Sequence, residues 1–168
     1  MNVKFIRHGL CLQTREARFG SDGPLDKSSK AHCRVLSPVP AMFSPTQIGR
    51  DSAAALGLQA VEEPRLQPAD DGKWNGLTLD SVPMDELEEW RRNPVFIGHG
   101  GESVLQLIRR TGTWLESSPV GVDLVVVTHA EIIRAAVAAI SGNLDDYWSG
   151  PHCRLRTFEP HTVFHSSD

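Results

Sequence analysis

The chain has 168 residues and a formal net charge of −4 at neutral pH. That length suits a single domain with a sizeable core, and the ordinary balance of charged and hydrophobic residues argues for a globular protein. No Lys/Arg block exceeds a pair and no apolar stretch approaches the roughly 20 residues of a membrane span, so neither nucleic acid nor a membrane is an expected partner.

Asn2 to Ile6 is a short run rich in β-branched and aromatic residues, and it stops at Arg7, His8 and Gly9. It reads as a buried strand that delivers a charged pair to its carboxyl end, where ligands sit in open α/β sheets. Arg7 and His8 interrupt any signal-peptide core. The odd, sparse cysteines (Cys11, Cys33 and Cys153) argue for reduced thiols and a cytoplasmic location.

Cys11 to Asp26 is a polar loop holding Arg15 and Arg18, too long for a simple connection and therefore a candidate functional loop. Lys27 to Leu36 is predicted helical, capped by Asp26 or Ser28, and Val39 to Phe43 is a short strand. A helix then follows with Pro45 in its first turn, Ala53 to Leu56 inside, and Gly57 at its end. In Leu66 to Gly76, an extended backbone would put Asp70 rather than Asp71 on the face of Pro68.

Leu79 to Asn93 has helical spacing with acidic residues before basic ones. Pro94 to His99 is a loop, and Glu102-Ser103 opens a helix running to Glu116, with Val104, Leu107, Ile108, Gly112 and Leu115 on its buried side. Val122 to Thr128 reads as a central parallel strand delivering His129, followed by a helix over Ile132 to Ile140 that Gly142 terminates. Asn143 to Trp148 is a turn, and Arg154 to Phe158 and Thr162 to Phe164 are terminal antiparallel strands. His152, Cys153, His161 and His165 fit no tight zinc spacing, so no metal is expected.

Two strands that each hand a histidine to a strand-to-helix turn, with Arg7 beside the first, suit an oxyanion. The guanidinium offers a planar fork of donors, and a neutral imidazole can act as a nucleophile.

In order and spacing these segments resemble the histidine phosphatase superfamily, the phosphoglycerate mutase-like proteins. The residues that carry the likeness are Arg7-His8-Gly9, Arg18-x-Gly20-x-Asp22-x-Pro24-Leu25, Ser44-Pro45, Gly72-x-Trp74-x-Gly76, Gly100-Gly101-Glu102-Ser103 and Val127-Thr128-His129. The size is that of small bacterial members of the α-ribazole phosphatase and phosphohistidine phosphatase type. The resemblance implies an α/β three-layer sandwich: a mostly parallel central sheet with helices on both faces. It implies one domain over residues 1–168, with a small cap insertion around 70–100.

It further implies a phosphomonoester hydrolase in which His8 forms a phosphohistidine, Arg7 and His129 hold the phosphoryl oxygens, and Arg18 helps recognise phosphate. No metal or cofactor is implied, and the partner is a small phosphorylated substrate or anion.

The chain departs from the family at two positions. Ile48 stands where a phosphate-binding arginine is usual, and Arg50, two residues on, is the candidate replacement although it belongs to another helix face. Pro68 stands where the acid that protonates the leaving group is usual. Asp70 and Glu131 are the candidate acids, with Glu102 a further spare carboxylate. These departures leave a slow enzyme with a rearranged acid as one reading. An impaired member that binds a phosphorylated or acidic small ligand is the alternative, and a protein-interaction role through a helix face is a third.

Overall fold

The computed structural model describes residues 2–31, 39–118, 123–149 and 160–164. Cys33, Cys153, His152, His165, the second half of the helix predicted to Leu36, and the strand predicted over Arg154 to Phe158 lie outside them. So do the side chains of 160–164.

Strands β1 (Asn2–Arg7), β2 (Ala41–Phe43), β3 (Ala60–Glu62), β4 (Leu124–Thr128) and β5 (Pro160–Phe164) form one sheet in the order β3-β2-β4-β1-β5. The first four run parallel, and β5 joins the edge antiparallel to β1. Helices α1 (Leu12–Arg15) and α2 (Lys27–Ala31) follow β1, and α3 (Gln47–Ala55) follows β2. Helices α4 (Met84–Arg92) and α5 (Val104–Glu116) precede β4; α6 (Ala130–Ser141) and α7 (Asp146–Ser149) follow it.

Strand alternation decides which helix covers which face. Phe5 pairs with Val126 and Ile6 with Val127, so each pair points to one side of the sheet. Phe5 and Val126 pack with Leu107, Ile108 and Trp114 of α5 and Ile132, Ile133 and Ala136 of α6. Ile6 and Val127 pack on the opposite face with Ala53 of α3 and with Leu56. All five residues of β4 are buried, as its unbroken apolar sequence requires of a strand covered on both sides. A one-residue slip in its register would exchange those two cores, which fixes the alignment of the strand ends.

Helix ends follow their local chemistry. Ser103 and Gln106 form a reciprocal capping box at the start of α5. The helix expected to contain Pro45 begins two residues later, because the Thr46 side chain accepts from the Gly49 amide and serves as its N-cap. The single helix expected over 79–93 is divided: Leu79–Ser81 is a short 3-10 turn, and α4 starts after Pro83. Pro83 has no N–H to continue the earlier turn. Between them and α5 lies an aromatic cluster in which Trp74 packs against Phe19, Trp90, Phe96 and His99. No helix among the described residues is long and apolar enough to cross a membrane.

Candidate active site

Parallel pairing brings the strand tips together. Arg7 is in register with Thr128, so His8 and His129 leave the sheet side by side. The His8 amide donates to the Thr128 carbonyl at 2.9 Å, and the Ser44 amide donates to the Val127 carbonyl at 3.0 Å. The hydroxyls of Ser44 and Thr128 meet at 2.6 Å. From α3, the Ser52 hydroxyl accepts from the Gly9 amide at 3.0 Å and fixes the turn after His8.

The two imidazoles are in direct contact, with His8 Nε2 3.1 Å from His129 Nδ1. His8 Nδ1 lies 2.6 Å from the Gly9 carbonyl oxygen, and His129 Nε2 lies 3.2 Å from the Thr46 hydroxyl. Burial pushes the pKa of each ring well below the usual imidazole range; for His8 the charges of His129 and Arg7 act in the same direction. Both rings are therefore neutral at pH 7, and their proton positions follow. A carbonyl can only accept, so His8 carries its proton on Nδ1 and presents a lone pair on Nε2. His129 donates to that lone pair from Nδ1, and the Thr46 hydroxyl donates to Nε2 of His129.

These rings open on a cavity of about 200 Å³. Arg7, Arg18 and Arg134 give it cationic groups, Asp71, Glu102 and Glu131 give it carboxylates, and Phe19, Trp90, Leu107 and Tyr147 give it apolar wall. The His129 side chain does not cap α6, so that helix presents its first-turn amides and the positive end of its dipole beside the two rings. Arg7 feels the opposing influences of burial and Arg134, which lower its pKa, and of Glu131, which raises it.

The carboxylates differ in state. Asp71 Oδ2 accepts from the Gly20 amide at 2.7 Å, yet burial, reinforced by Glu131, Asp70 and Glu102, pushes its carboxyl up to about 7. Gly20 holds φ at +63°, and a Cβ there would lie 1.9 Å from Asn75 Oδ1, so only glycine brings this amide to Asp71. Glu102 is held by Arg110 at 2.6 and 2.9 Å. Glu131 Oε1 stands 4.0 Å from His129 Nδ1.

The structure thus brings Arg7, His8, His129, Glu131 and Arg18 to one cavity, and leaves Asp70 and Arg50 outside its lining. Asp70 Oδ1 accepts from the Gly72 amide at 2.9 Å, at the entry to the 3-10 turn Gly72–Trp74. Ala69 and Asp71 line the cavity and Pro68 and Asp70 do not, so the face of Pro68 is turned away from the site and Asp71 is the acid that faces it. Arg50 is exposed and lies 3.9 Å from Glu62, while Ile48 is wholly buried against Cys11 and Leu25. His99 also stays out of the cavity; its Nδ1 accepts from the Gly101 amide at 2.9 Å. No group of three His, Cys, Asp or Glu side chains among the described residues is placed to hold a metal ion.

Comparison with known proteins assigns the chain to a family. Residues 3–160 match the family model described as the histidine phosphatase superfamily, branch 1. The chain belongs to that superfamily. The histidine phosphatase chain is 30% identical over 105 residues to phosphoserine phosphatase 1 of Hydrogenobacter thermophilus, a match covering 58% of this chain and half the length of the relative. It is similar in structure to TTHB049 from Thermus thermophilus, with a TM-score of 0.73 and 28% identity over 85% of this chain and 86% of that one. A structure described as phosphoglycerate mutase from the same organism gives a TM-score of 0.73 and 26% identity over the same shares.

Sequence reasoning missed several groups of this histidine phosphatase cavity. Arg134 is the clearest, and a signal was present. It lies three residues beyond Glu131, so the two share a helix face, and it is the single cation in an apolar, alanine-rich helix. Thr46 carried no such signal, because its partner lies 83 residues away in sequence. Trp90 read from sequence only as part of the helix over Leu79 to Asn93, and Tyr147 only as part of the turn over Asn143 to Trp148.

Proposed function

We propose that the protein is a phosphomonoester hydrolase that transfers the phosphoryl group of a small substrate to His8 and then to water. The observation that carries this reading is the contact between His8 Nε2 and His129 Nδ1 at 3.1 Å beside Arg7. The Nε2 lone pair of His8 attacks phosphorus while the bond from phosphorus to the ester oxygen breaks. As substrate enters, the Nδ1–H of His129 passes from His8 to a phosphoryl oxygen. Arg7 and the first-turn amides of α6 supply the remaining positive field, which is the main requirement of phosphoryl transfer.

Asp71 is the acid of this scheme. A carboxyl with a pKa near 7 is protonated often enough to give its proton to the departing alkoxide, and as carboxylate it then takes a proton from the attacking water. Segment 70–100 acts as a cap that supplies Asp71 and Trp90 to the cavity. Glu131 balances Arg7 and Arg134 and is the second candidate acid. In this reading Asp71 answers the loss at Pro68, and the helix amides offset part of the loss at Ile48. Ile48 and Pro68 also support the second reading, a family member that binds phosphorylated ligands without turning them over.

Turnover of nitrophenyl phosphate by the purified protein separates the two. The expected result is hydrolysis that falls on the order of 10³-fold or more in His8→Ala, together with an acid-labile, alkali-stable phosphoryl label on the native protein alone. Hydrolysis that is equal in His8→Ala overturns the nucleophile assignment. Tight phosphate binding with no turnover establishes the second reading.

A further inference from the structure

Arg110, on α5, is not part of the cavity lining, yet each of its three guanidinium nitrogens is engaged. One edge forms a fork on Glu102, with Nε donating to Oε1 at 2.6 Å and Nη2 to Oε2 at 2.9 Å. The other donors go to main-chain carbonyls: Nη1 to that of Arg65 at 2.8 Å, and Nη2 to those of Gln67 at 2.7 Å and Pro68 at 3.1 Å. Neutralising Glu102 needs only the first edge. The second edge fixes a stretch of backbone, which takes the planar guanidinium and not a point charge.

That stretch leads into Asp71. The Glu102 amide donates to the Asp70 carbonyl at 2.7 Å, so the residue whose carboxylate holds Arg110 also holds the backbone next to the acid. The two segments touch: a Cβ on Gly101 would lie 1.9 Å from the Asp70 carbonyl oxygen. Leu66 is wholly buried in the core with Leu107 and Ile108 of α5, which pins the same stretch by its apolar side. Beyond Asp70, the Gly20 amide donates to Asp71 Oδ2 at 2.7 Å. The carboxyl in the cavity is therefore placed by the Gly20 amide and by a backbone tied to α5 at carbonyls 65, 67, 68 and 70.

Resting on the phosphatase reading with Asp71 as its acid, we propose that Arg110 is a positioning residue. Through Glu102 and the carbonyls of Arg65, Gln67 and Pro68, it sets where the Asp71 carboxyl stands against the leaving oxygen. The leaving group reads this out. An alkoxide needs its proton as the bond to phosphorus breaks, whereas nitrophenolate leaves without one, so a displaced acid slows an alkyl ester more than an aryl ester. A displacement of about 1 Å can cost on the order of 10²-fold.

The test compares kcat for glycerol phosphate and nitrophenyl phosphate in the native protein, Arg110→Met, Arg110→Lys, Asp71→Asn and the double variant Arg110→Met with Asp71→Asn. In Arg110→Met the alkyl ester is expected to lose roughly 10- to 100-fold more than the aryl ester, and Arg110→Lys shifts the ratio by less. In the Asp71→Asn background, Arg110→Met produces no further shift, because the acid it would misplace is gone. Thermal melts show which variants are folded at the assay temperature, and Arg110→Lys, which keeps a cation for Glu102, carries the comparison if Arg110→Met is not.

Equal slowing of the two esters in the Arg110 variants, or a further shift of their ratio in the Asp71→Asn background, overturns the positioning role while the effect of Asp71→Asn on that ratio keeps the acid assignment standing. An Asp71→Asn protein with the native ratio overturns the acid assignment, and the role of Arg110 with it. No His8-dependent turnover of either ester overturns the phosphatase reading itself.

Discussion

The hydroxyl of Thr46 lies 3.2 Å from Nε2 of His129, so the residue that caps α3 also sets the proton position of a histidine at the start of α6. The same hydroxyl accepts from the Gly49 amide at 3.1 Å, which leaves its own hydrogen free to donate to the ring. With Nε2 occupied in this way, Nδ1 of His129 is the donor that faces His8 and, in the proposed reaction, the phosphoryl group. One short polar side chain thus joins the stability of a helix to the polarity of the site.

Thr46→Val removes both bonds and keeps the shape. The loss of the cap costs about 0.5–2 kcal/mol, and His129 loses the partner that favours its Nδ1–H form. Nitrogen-resolved NMR of the ring is expected to show a growing Nε2–H population, with turnover falling roughly 10-fold or more. Thr46→Ser restores both. A variant that is destabilised but keeps the native tautomer and rate refutes the coupling.

Asp71 links activity and stability through pH. Its carboxyl is raised on folding from the ordinary range to about 7, so the folded state holds that proton more tightly than the unfolded one. Its contribution to stability is greatest below the unfolded value of about 4 and declines as pH rises through about 7. Asp71→Asn, which stays neutral, is therefore expected to melt higher than the native protein at pH 8 and close to it at pH 4. Turnover moves the other way. Native activity declines above about pH 7 as the acid is lost, and the variant is slower by about 10²- to 10⁴-fold with that alkaline limb removed. Retention of the alkaline limb in Asp71→Asn assigns the acid to another carboxylate, with Glu131 next in line.

Gly49 sits inside α3, where intrinsic propensity alone favours alanine by about 1 kcal/mol. Packing favours glycine: a Cβ there would lie 2.7 Å from the Ser44 carbonyl oxygen and 2.9 Å from Thr46 Oγ1. Both are pinned, Ser44 by the tip of β4 and Thr46 by His129. Gly49→Ala is expected to lower stability by about 1–3 kcal/mol in denaturant melts and to reduce turnover by displacing Thr46. A stabilised Gly49→Ala shows that propensity governs here and that the tip of β2 yields.

The sequence by itself determined the central strands β1 and β4 and the pair of histidines at their tips, but not the edge strand β3. A strand buried on both faces has to be apolar throughout, as Val125 to Val127 are. A strand that ends in a ligand-facing turn has to change abruptly to polar residues and glycine, as at Arg7-His8-Gly9. These are local requirements, and a single chain displays them. The aligned register of β1 and β4 then follows from the alternation of their buried residues.

Tertiary structure alone decided the charges that surround the pair. Asp70 and Asp71 are neighbours with the same chemistry, and only the face of this stretch that is turned to the site, with the fixed amide of Gly20, gives one of them to the cavity. Arg50 and Arg134 are both helical arginines. One meets Glu62 at the surface, and the other is drawn over Tyr147 into the interior. The physical reason is range: burial and the fields of distant carboxylates act through space, from segments far apart in the chain, and leave no periodic trace in the residues they govern.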